Sequence, residues 1–536
     1  MSPVSRAAAF CIFLLLTSIG VARIVLTYRV VSQTVDETPN IACGMEWLDR
    51  GTYNLGPFHP PLARIAMAAG PYLAGLRSQG NPDRWKEGNA ILHSRGRYAK
   101  NLTLARLGIL PFFILASTCV WLWGRSLMGG SGALAAVFLF TNTPMVLAHS
   151  GIATTDMAVT AGVVFALYHF TRWLEQPDPR RSVWLGVAFA LAILAKFSSF
   201  LIVPLCALCI LAAWCIAGRR FPPIRLRMWA LAGVVAFLIV WAGYRFSVGR
   251  MQETPESNPA AASPFWRALS SVPLPAPQIP DGLLQVKLLN RDGHAAFLLG
   301  QVSNTGWWYF FPVALGVKTP LAVLLLALAG LFAVARGPQR WELWAPALCV
   351  AAILLACLPS HLNTGLRYIL CLFPMLSLLA AQGIVFLWHS RVPRAAAAVL
   401  LVWLTASSLR AHPDYIPYFN ELAGAHPENV VVDSDLDWGQ DMRRLVSKLE
   451  ELGVTRVHLA VLWSGDDSRI GLPGWEGLDP YQPVKGWVAI SYFNLKTRGL
   501  LAAKAMGRAE SGYAWLDRYQ PVARVGKSIL LYHIPE

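Results

Sequence analysis

The sequence predicts a mainly α-helical, multi-pass membrane protein with a small α/β domain at its C-terminal end. Three observations support this fold class. Of the 536 residues, 55% are hydrophobic and only 14% are charged, whereas a soluble domain has about a quarter charged residues. Apolar runs long enough to cross a bilayer recur up to residue 410. Beyond that point they give way to shorter stretches with the periods of strands and amphipathic helices.

Eleven apolar runs approach the length of a bilayer-spanning helix, which is about 20 residues. The first begins after Arg6 and continues to Thr27, so we interpret it as an uncleaved first helix rather than as a signal peptide. One long run must fold back at Lys196–Ser199 to give two spans. The runs lie near 7–28, 107–124, 131–149, 157–174, 183–197, 199–217, 228–247, 309–335, 342–359, 366–388 and 393–410.

The distribution of basic residues predicts the orientation of the chain. With eleven spans, every short loop rich in Arg falls on the same side of the bilayer, and the positive-inside rule makes that side cytoplasmic. The same rule accounts for the net charge of +16, so no nucleic-acid partner is expected. We predict a protein of the inner (plasma) membrane with a cytoplasmic N-terminus and a periplasmic C-terminus. The basic residues are Arg125, Arg172, Arg180, Arg181, Arg219, Arg220, Arg225, Arg227, Arg336, Arg340, Arg391 and Arg394.

Three long segments therefore face outward, at 29–106, 248–308 and 411–536. The second is rich in Pro, Ser and Ala at its start, between Pro255 and Pro280, and is expected to be an irregular loop. We predict two domains, a transmembrane domain over 1–410 and an extracytoplasmic α/β domain over 411–536, which is long enough to hold its own core. The predicted elements of the second domain are strands at Val430–Val432, Val454–Val461, Trp487–Ser491 and Ser528–Tyr532 and a helix at Met442–Leu452.

Acidic residues stand out at two places on the predicted outer face. Asp36 and Glu37 follow the first helix, and Asp156 lies at the outer mouth of the fourth. Taken alone, the dipeptide fits a solvated loop, and a carboxylate at a span end costs little where water reaches it. Because the topology brings both places to one face, the acids could serve a displacement reaction, one as base and the other positioning the acceptor or a metal.

Basic residues are in surplus on the same outer face, where the positive-inside rule predicts few. One or two could be side chains that extend to the interface. The larger number favours a bound anion, and a lipid phosphate at the interface would supply one. The candidates are Arg64, Arg97, Lys100, Arg106, Lys196, Arg245, Lys318 and Arg367, together with His59 and His361.

The order of these features resembles the protein O-mannosyltransferase and aminoarabinose-transferase family (glycosyltransferase family 39), which has the GT-C fold. The shared pattern is DE after helix one, then HPPLAR, then a lone Asp before helix four. The segments 293–320, 361–370 (HLNTGLRYIL) and 412–442 resemble a bacterial branch, so that the resemblance covers nearly the whole chain. The chain departs from the aminoarabinose branch at His59-Pro60, where that branch has Lys-Pro.

The resemblance implies a GT-C-type bundle of about eleven helices that moves a hexose or pentose from a polyprenyl-phosphate carrier to a protein, lipid or glycan, usually with inversion of the anomeric centre. Asp36 would be the catalytic acid of the first outer loop, with Glu37 beside it, and Asp156 the second acid. Asp36 would take the acceptor proton while nearby cations stabilise the leaving phosphate. The residues expected to bind that phosphate are Arg64, Lys196, Arg245, Lys318, Arg367, His59 and His361.

No cofactor is expected, because the chemistry does not require a metal; Asp156 is where a divalent ion would be sought. The tail contains four acids at alternating spacing, as calcium loops do, but without the Gly and Glu that an EF-hand needs at its sixth and twelfth positions. A structural turn and a helix cap are therefore favoured over a metal site. The four acids are Asp433, Asp435, Asp437 and Asp441.

Two other classes of function stay open at this point. A transporter or flippase of lipid-linked or anionic substrates would also contain intramembrane charges, although near the midplane and often within inverted repeats. A receptor or scaffold that displays the tail would leave the outer acids and cations without a role. Convergence of Asp36 and Asp156 in an outward cavity that continues into a lipid-facing groove would favour the transferase.

Overall fold

The computed structural model of the chain describes residues 5–219, 224–251, 263–337 and 340–535. Its architecture is mainly helical, with a small mixed sheet near the C-terminal end, which confirms the predicted fold class. Arg220 and the part of the Pro255–Pro280 segment up to residue 262 lie outside the described ranges.

Helices form at each of the apolar runs. The runs near 107–124 and 131–149 form two helical segments within Leu110–Asn142, and these are separated by non-helical backbone at Gly129, where φ is +75°. The predicted break at Lys196–Ser199 is present, because Lys196 is extended between two helices. The helices are Arg6–Thr27, Leu110–Asn142, Pro144–Ser150, Asp156–Glu175, Pro179–Ala195, Ser199–Ile216, Ile224–Gly243, Phe310–Lys318, Leu321–Arg336, Trp341–Cys357, Leu372–Leu387 and Arg391–Arg410.

The chain is a multi-pass membrane protein. By length and apolar composition, five of the described helices can cross a bilayer, or six if Phe310–Lys318 and Leu321–Arg336 count as one span with a bend of 112°. Trp341–Cys357 and Leu372–Leu387 are apolar but shorter. The number of eleven spans therefore stays a prediction.

Two of these helices pack with their backbones in contact. A Cβ atom added to Gly330 would lie 1.9 Å from the carbonyl oxygen of Leu379, and one added to Gly383 would lie 2.1 Å from that of Leu326. In a membrane no hydrophobic driving force holds helices together, so they associate through close packing. Small residues at the contact allow that close approach. The two glycines thus set the place at which Leu321–Arg336 crosses the helix Leu372–Leu387.

The outer segments contain more regular structure than the sequence predicted. The expectation of an irregular loop within 248–308 is wrong for its described part. Pro264 begins a helix, where its missing N–H is not needed, and Gly293, with φ +75°, ends a second amphipathic helix. The helices of the outer segments are Glu37–Arg50, Pro61–Leu73, Arg84–His93, Tyr98–Leu107, Pro264–Ser271 and Gln278–Asp292, and the short strands are Val248–Gly249, Leu274–Pro275, Ala296–Leu298 and Gln301–Ser303.

The tail folds around a five-stranded sheet and one amphipathic helix, Met442–Glu451. The predictions of that helix and of three strands are confirmed. The predicted strand at Val430–Val432 is wrong: the segment makes one bridge, from Val431 to Leu298, after a 3₁₀ turn. In spatial order the strands are Gly474–Gly477, Arg456–Ala460, Gly486–Ser491, Ile529–Ile534 and Ala523–Val525, the first three parallel and the last two antiparallel to their neighbours.

The first part of the tail packs against the bundle rather than against the sheet. Tyr415, Ile416 and Trp438 are buried in the same hydrophobic core as the apolar helices. The sheet has separate cores on its two faces, one containing Ile490 and the other Leu531. Residues 415–438 therefore form a layer between the bundle and the sheet, whereas the division into domains at residue 411 stays a prediction.

Candidate active site

Four charged side chains meet at one end of the bundle, each at the end of a helix. Asp36 immediately precedes Glu37–Arg50, and Asp156 begins the helix to Glu175. Lys196 follows the helix that ends at Ala195. Arg367 lies in the 3₁₀ turn Leu366–Ile369, just before an apolar helix. Rigid elements thus hold all four side chains.

The four side chains form an alternating chain of charges. Arg367 donates from Nη1 to Oδ2 of Asp36 at 2.6 Å and lies 3.8 Å from Oδ2 of Asp156. Lys196 donates from Nζ to Oδ1 of Asp156 at 2.7 Å. The side chain of Asp36 is 37% exposed, whereas that of Asp156 is 1% exposed. The two predicted acids therefore converge, and Asp36 is the more accessible of the two.

Aromatic rings enclose the two cations. The guanidinium carbon of Arg367 lies 4.2 Å from the ring centre of Trp438, and Nζ of Lys196 lies 4.8 Å from that of Tyr368. Such contacts stabilise cations that are removed from water. Trp438 comes from the tail, so the tail forms one wall of the site.

Several buried polar atoms around the acids have no hydrogen-bond partner among the described residues. Burying such an atom unpaired costs about 1–3 kcal/mol, so a polar ligand or water is the expected partner. Burial, with the charges of Arg64 and Lys196, holds the pKa of His59 well below its usual value, so that His59 is neutral. The atoms are Oδ2 of Asp156, Nε of Arg367, Oγ1 of Thr154, Nδ1 of His59 and both ring nitrogens of His149.

Glu37, predicted beside Asp36 as a catalytic acid, is engaged in a buried ion pair. Its two oxygens accept from Nε and Nη2 of Arg106, both at 2.8 Å, and both side chains are fully buried. The backbone N–H groups of Thr34 and Ala153 donate to the same carboxylate at 2.7 Å. These contacts account for all of its accepting capacity and give Glu37 a structural role. Because Thr34 precedes Asp36 and Ala153 precedes Asp156, these hydrogen bonds also connect the loop before Asp36 to the segment before Asp156.

Four of the other predicted phosphate ligands make their hydrogen bonds to groups other than the two acid side chains. Arg64 is buried and donates to Asn40 at 3.0 Å and to Gly56. Lys318 is buried and donates to the carbonyl oxygens of Ile416 and Asp435. These two cations bind protein oxygens.

Arg245 and His361 also contact protein groups other than the two acids. Arg245 is exposed, lies over the ring of Trp47 at 4.2 Å and donates to its carbonyl oxygen at 2.8 Å. His361 is half-buried, and its backbone N–H donates to Asn290 at 3.1 Å. Of the seven expected ligands, Lys196 and Arg367 touch the acids, and the charges of both act on His59.

Comparisons with known proteins agree with this fold. Residues 99–244 match the model of the dolichyl-phosphate-mannose-protein mannosyltransferase family. The chain resembles ArnT from Cupriavidus metallidurans bound to undecaprenyl phosphate, with a TM-score of 0.52 and 12% identity over 97% of each chain. It also resembles the Archaeoglobus fulgidus oligosaccharyltransferase tethered with an acceptor peptide, with a TM-score of 0.52 and 13% identity over 96% of this chain and 72% of that chain. By sequence, no curated protein matches.

The protein has the GT-C glycosyltransferase fold. The family model and the structural likeness confirm the resemblance predicted from the motifs. At 12–13% identity the likeness to the two structures concerns the fold alone. Within the GT-C fold, the acids lie in the loop after the first helix and at the start of Asp156–Glu175.

Replacing Glu37 with Gln tests whether this residue is structural. Breaking a buried ion pair leaves an uncompensated charge and costs about 3–5 kcal/mol, so we expect a strongly reduced unfolding midpoint or no folded protein. The measurement is thermal unfolding of the detergent-solubilised chain. Glu175→Gln is the matched control, since Glu175 pairs with Arg172 at 2.6 Å on the surface, where such pairs contribute little. Normal stability with lost activity in Glu37→Gln would restore its catalytic assignment.

Proposed function

We propose that the protein transfers a sugar from a polyprenyl-phosphate carrier to a protein, lipid or glycan acceptor on the periplasmic face of the inner membrane. The observation that carries the proposal is the convergence of a half-buried acid, Asp36, with a buried acid, Asp156, and two cations. An acid open to the acceptor and cations beside it are what displacement at a sugar phosphate requires.

An apolar groove whose wall includes the helix ends on either side of Lys196 supports a lipid-linked donor. It encloses about 730 Å³ between the helices that begin at Asp156, Pro179, Ser199 and Ile224. Its wall includes residues on both sides of Lys196 and aromatic residues exposed to lipid. A carrier chain lying in this groove would have its phosphate near Lys196. The wall near Lys196 consists of Ala192, Ile193, Ser199 and Phe200, and the exposed end includes Leu208, Leu226 and Trp229.

The molecules bound in the two similar structures are consistent with this assignment. ArnT was crystallised with undecaprenyl phosphate, a polyprenyl phosphate, and the oligosaccharyltransferase with an acceptor peptide. A shared fold alone does not show that this chain binds either molecule. Together with the groove and the acids, they favour a polyprenyl-phosphate donor and make a protein acceptor the first to test.

In the proposed mechanism Asp36 takes the proton of an acceptor hydroxyl or amine as that group attacks the anomeric carbon. The bond from this carbon to the phosphate oxygen breaks, its electron pair stays on the polyprenyl phosphate, and attack from the opposite side inverts the centre. Lys196 and Arg367 stabilise the growing negative charge. Asp156 holds Lys196 and lies near Arg367, so it orients both cations. No cofactor is assigned to the reaction.

A transporter or flippase is the less well supported alternative. Its charges would be expected near the bilayer midplane, on broken helices of repeated halves. Here the four charges lie at helix ends on one side of the bundle.

The proposed orientation predicts an extracytoplasmic C-terminus. A phosphatase fused after the last residue should be active in the periplasm, because an odd number of spans separates the termini and the basic loops hold the N-terminus inside. A fusion after Arg181, in a predicted cytoplasmic loop, is the matched control and should be inactive. Activity at Arg181 and none at the C-terminus would reverse the orientation.

Replacing Asp36 with Asn should abolish transfer while the protein still folds. The amide cannot accept a proton, and loss of a general base lowers the rate by about 10²–10⁴-fold. The measurement is transfer of labelled sugar from polyprenyl-phosphate donors to delipidated envelope protein. Asp49→Asn, an outer-loop acid paired with Arg77 at 3.4 Å, is the control and should retain activity. Near-normal turnover in Asp36→Asn would reject the assignment of the base.

Arg367→Lys and Arg245→Lys separate phosphate recognition from interface anchoring. Arg367 binds Asp36, whereas Arg245 stacks on Trp47 at the surface. A guanidinium can hold phosphate oxygens as a fork, whereas an ammonium is a point charge. We expect Arg367→Lys to weaken use of the donor by at least about tenfold, a loss of roughly 1.4 kcal/mol, and Arg245→Lys to behave as wild type. Transfer rates at increasing donor concentration measure this, and equal kinetics in both variants would contradict it.

A further inference from the structure

A loop of the tail covers the acids of the site. This loop, Val432–Asp441, carries the four acids that the sequence marked as a structural turn. On one side it is hydrogen-bonded to the segment before Asp36. The N–H of Ser32 donates to the carbonyl oxygen of Gln440 at 2.9 Å, and the N–H of Val35 donates to that of Trp438 at 3.1 Å.

On its other side the loop is bonded to the segment before Arg367. Oγ of Ser434 donates to the carbonyl oxygen of Thr364 at 2.5 Å, and the N–H of Leu366 donates to Asp435 at 3.1 Å. The contact is close, since a Cβ atom on Gly365 would lie 2.1 Å from Oγ of Ser434. The loop is therefore fixed on both sides of the Asp36–Arg367 pair.

Three of the four loop acids are engaged by the fold. Asp435 accepts from the N–H of Leu366, as described above. Asp437 accepts from the N–H of Phe493 at 2.8 Å. Asp441 accepts from Oγ of Ser528 at 2.9 Å and from Arg444 at 2.9 Å. These acids join the loop to the bundle and to the sheet.

The fourth acid, Asp433, has no comparable partner among the described residues. Its carboxylate accepts only from the N–H of the adjacent Ser434, at 2.6 Å. It is half-buried, and its φ is +42°, a conformation that non-glycine residues rarely adopt and that concentrates at functional sites. The charged groups that act on it are Arg367, Asp36 and Asp435. An acid with a positive φ and no structural partner among the described residues thus lies in the loop that is hydrogen-bonded on both sides of the Asp36–Arg367 pair.

We propose that Asp433 receives the proton that Asp36 removes from the acceptor, so that the tail contributes a residue to the transfer reaction. The acceptor heteroatom forms its bond to the anomeric carbon, the leaving phosphate keeps the electron pair of the broken bond, and the proton passes from the acceptor to Asp36. From Asp36 it passes to Asp433, which releases it to water. The inference rests on the proposed function.

The environment of Asp433 gives this step a defined pH dependence. Burial raises the pKa of Asp433 to about 8, the negative charges of Asp36 and Asp435 add to the increase, and Arg367 opposes it. Asp433 can accept a proton only when it is ionised. The turnover rate should therefore rise as the pH increases through about 8 and level off above it.

The test compares the pH profile of sugar transfer for the full-length wild type with Asp433→Asn, Asp433→Glu and Asp433→Gly. In Asp433→Asn we expect kcat to fall by about 10²-fold, an unchanged KM for the donor, and loss of the rise near pH 8. Asp433→Glu should keep a rise. Asp433→Gly removes the acid but suits the positive φ, so it should fold at least as well as wild type and still lose the rise. Asp517→Asn, an exposed acid of the tail, should behave as wild type.

The outcomes separate this inference from the proposed function. If wild type transfers sugar, Asp36→Asn does not, and both Asp433→Asn and Asp433→Gly keep the wild-type rate and pH profile, the role of Asp433 is overturned and the proposed function stands. If Asp433→Asn fails to fold, the stable Asp433→Gly variant decides the question alone. If wild type transfers no sugar from any polyprenyl-phosphate donor tested, the proposed function fails and the inference fails with it.

Discussion

The fully buried ion pair between Glu37 and Arg106 is the interaction on which the geometry of the site depends. Besides each other, the two side chains bind four backbone groups, the N–H groups of Thr34 and Ala153 and the carbonyl oxygens of Val31 and Ser32. A buried pair repays its desolvation only when its remaining donors and acceptors are satisfied, as they are here. Since these groups flank both acids, the pair brings Asp36 and Asp156 to one place without being exposed itself.

The same constraint extends to the tail. The loop that Arg106 fixes presents Ser32, whose N–H donates to Gln440 and whose Oγ accepts from the N–H of Arg443 at 2.8 Å. The tail therefore docks on a segment whose position is already set from within the bundle. The sheet has its own cores, yet the first residues of the tail complete the core and the site of the bundle. Loss of the ion pair would accordingly disturb both acids and the covering loop.

The sequence predicted the helices well because hydrocarbon leaves a spanning chain few options for satisfying its backbone. Sequence reasoning failed where adjacent residues of the same chemical type lie in different environments. Asp36 and Glu37 are adjacent acids, yet Glu37 is fully buried against Arg106 whereas Asp36 is half-buried and pairs with Arg367. Hydropathy assigned Arg64, Lys318 and Arg367 to the outer face, but it carries no information on the direction of each side chain around its helix. The place of Asp433 beside Asp36 depends on long-range packing, for which its alternating spacing gave no signal.

The arrangement of the four charges explains how reactants from two phases could meet at one point. Lys196 is 10% exposed and adjoins the apolar groove, whereas Asp36 is 37% exposed and faces the outer layer. Two acids and two cations sum to zero, so the site can lie at the end of an apolar bundle without the desolvation cost of a net charge. Under the proposed function, a lipid-linked phosphate entering from the groove would reach the cations, and an acceptor from the aqueous side would reach the acid. Because Arg367 touches Asp36 and lies 3.8 Å from Asp156, it is the residue at which the two reactants would meet under the proposed function.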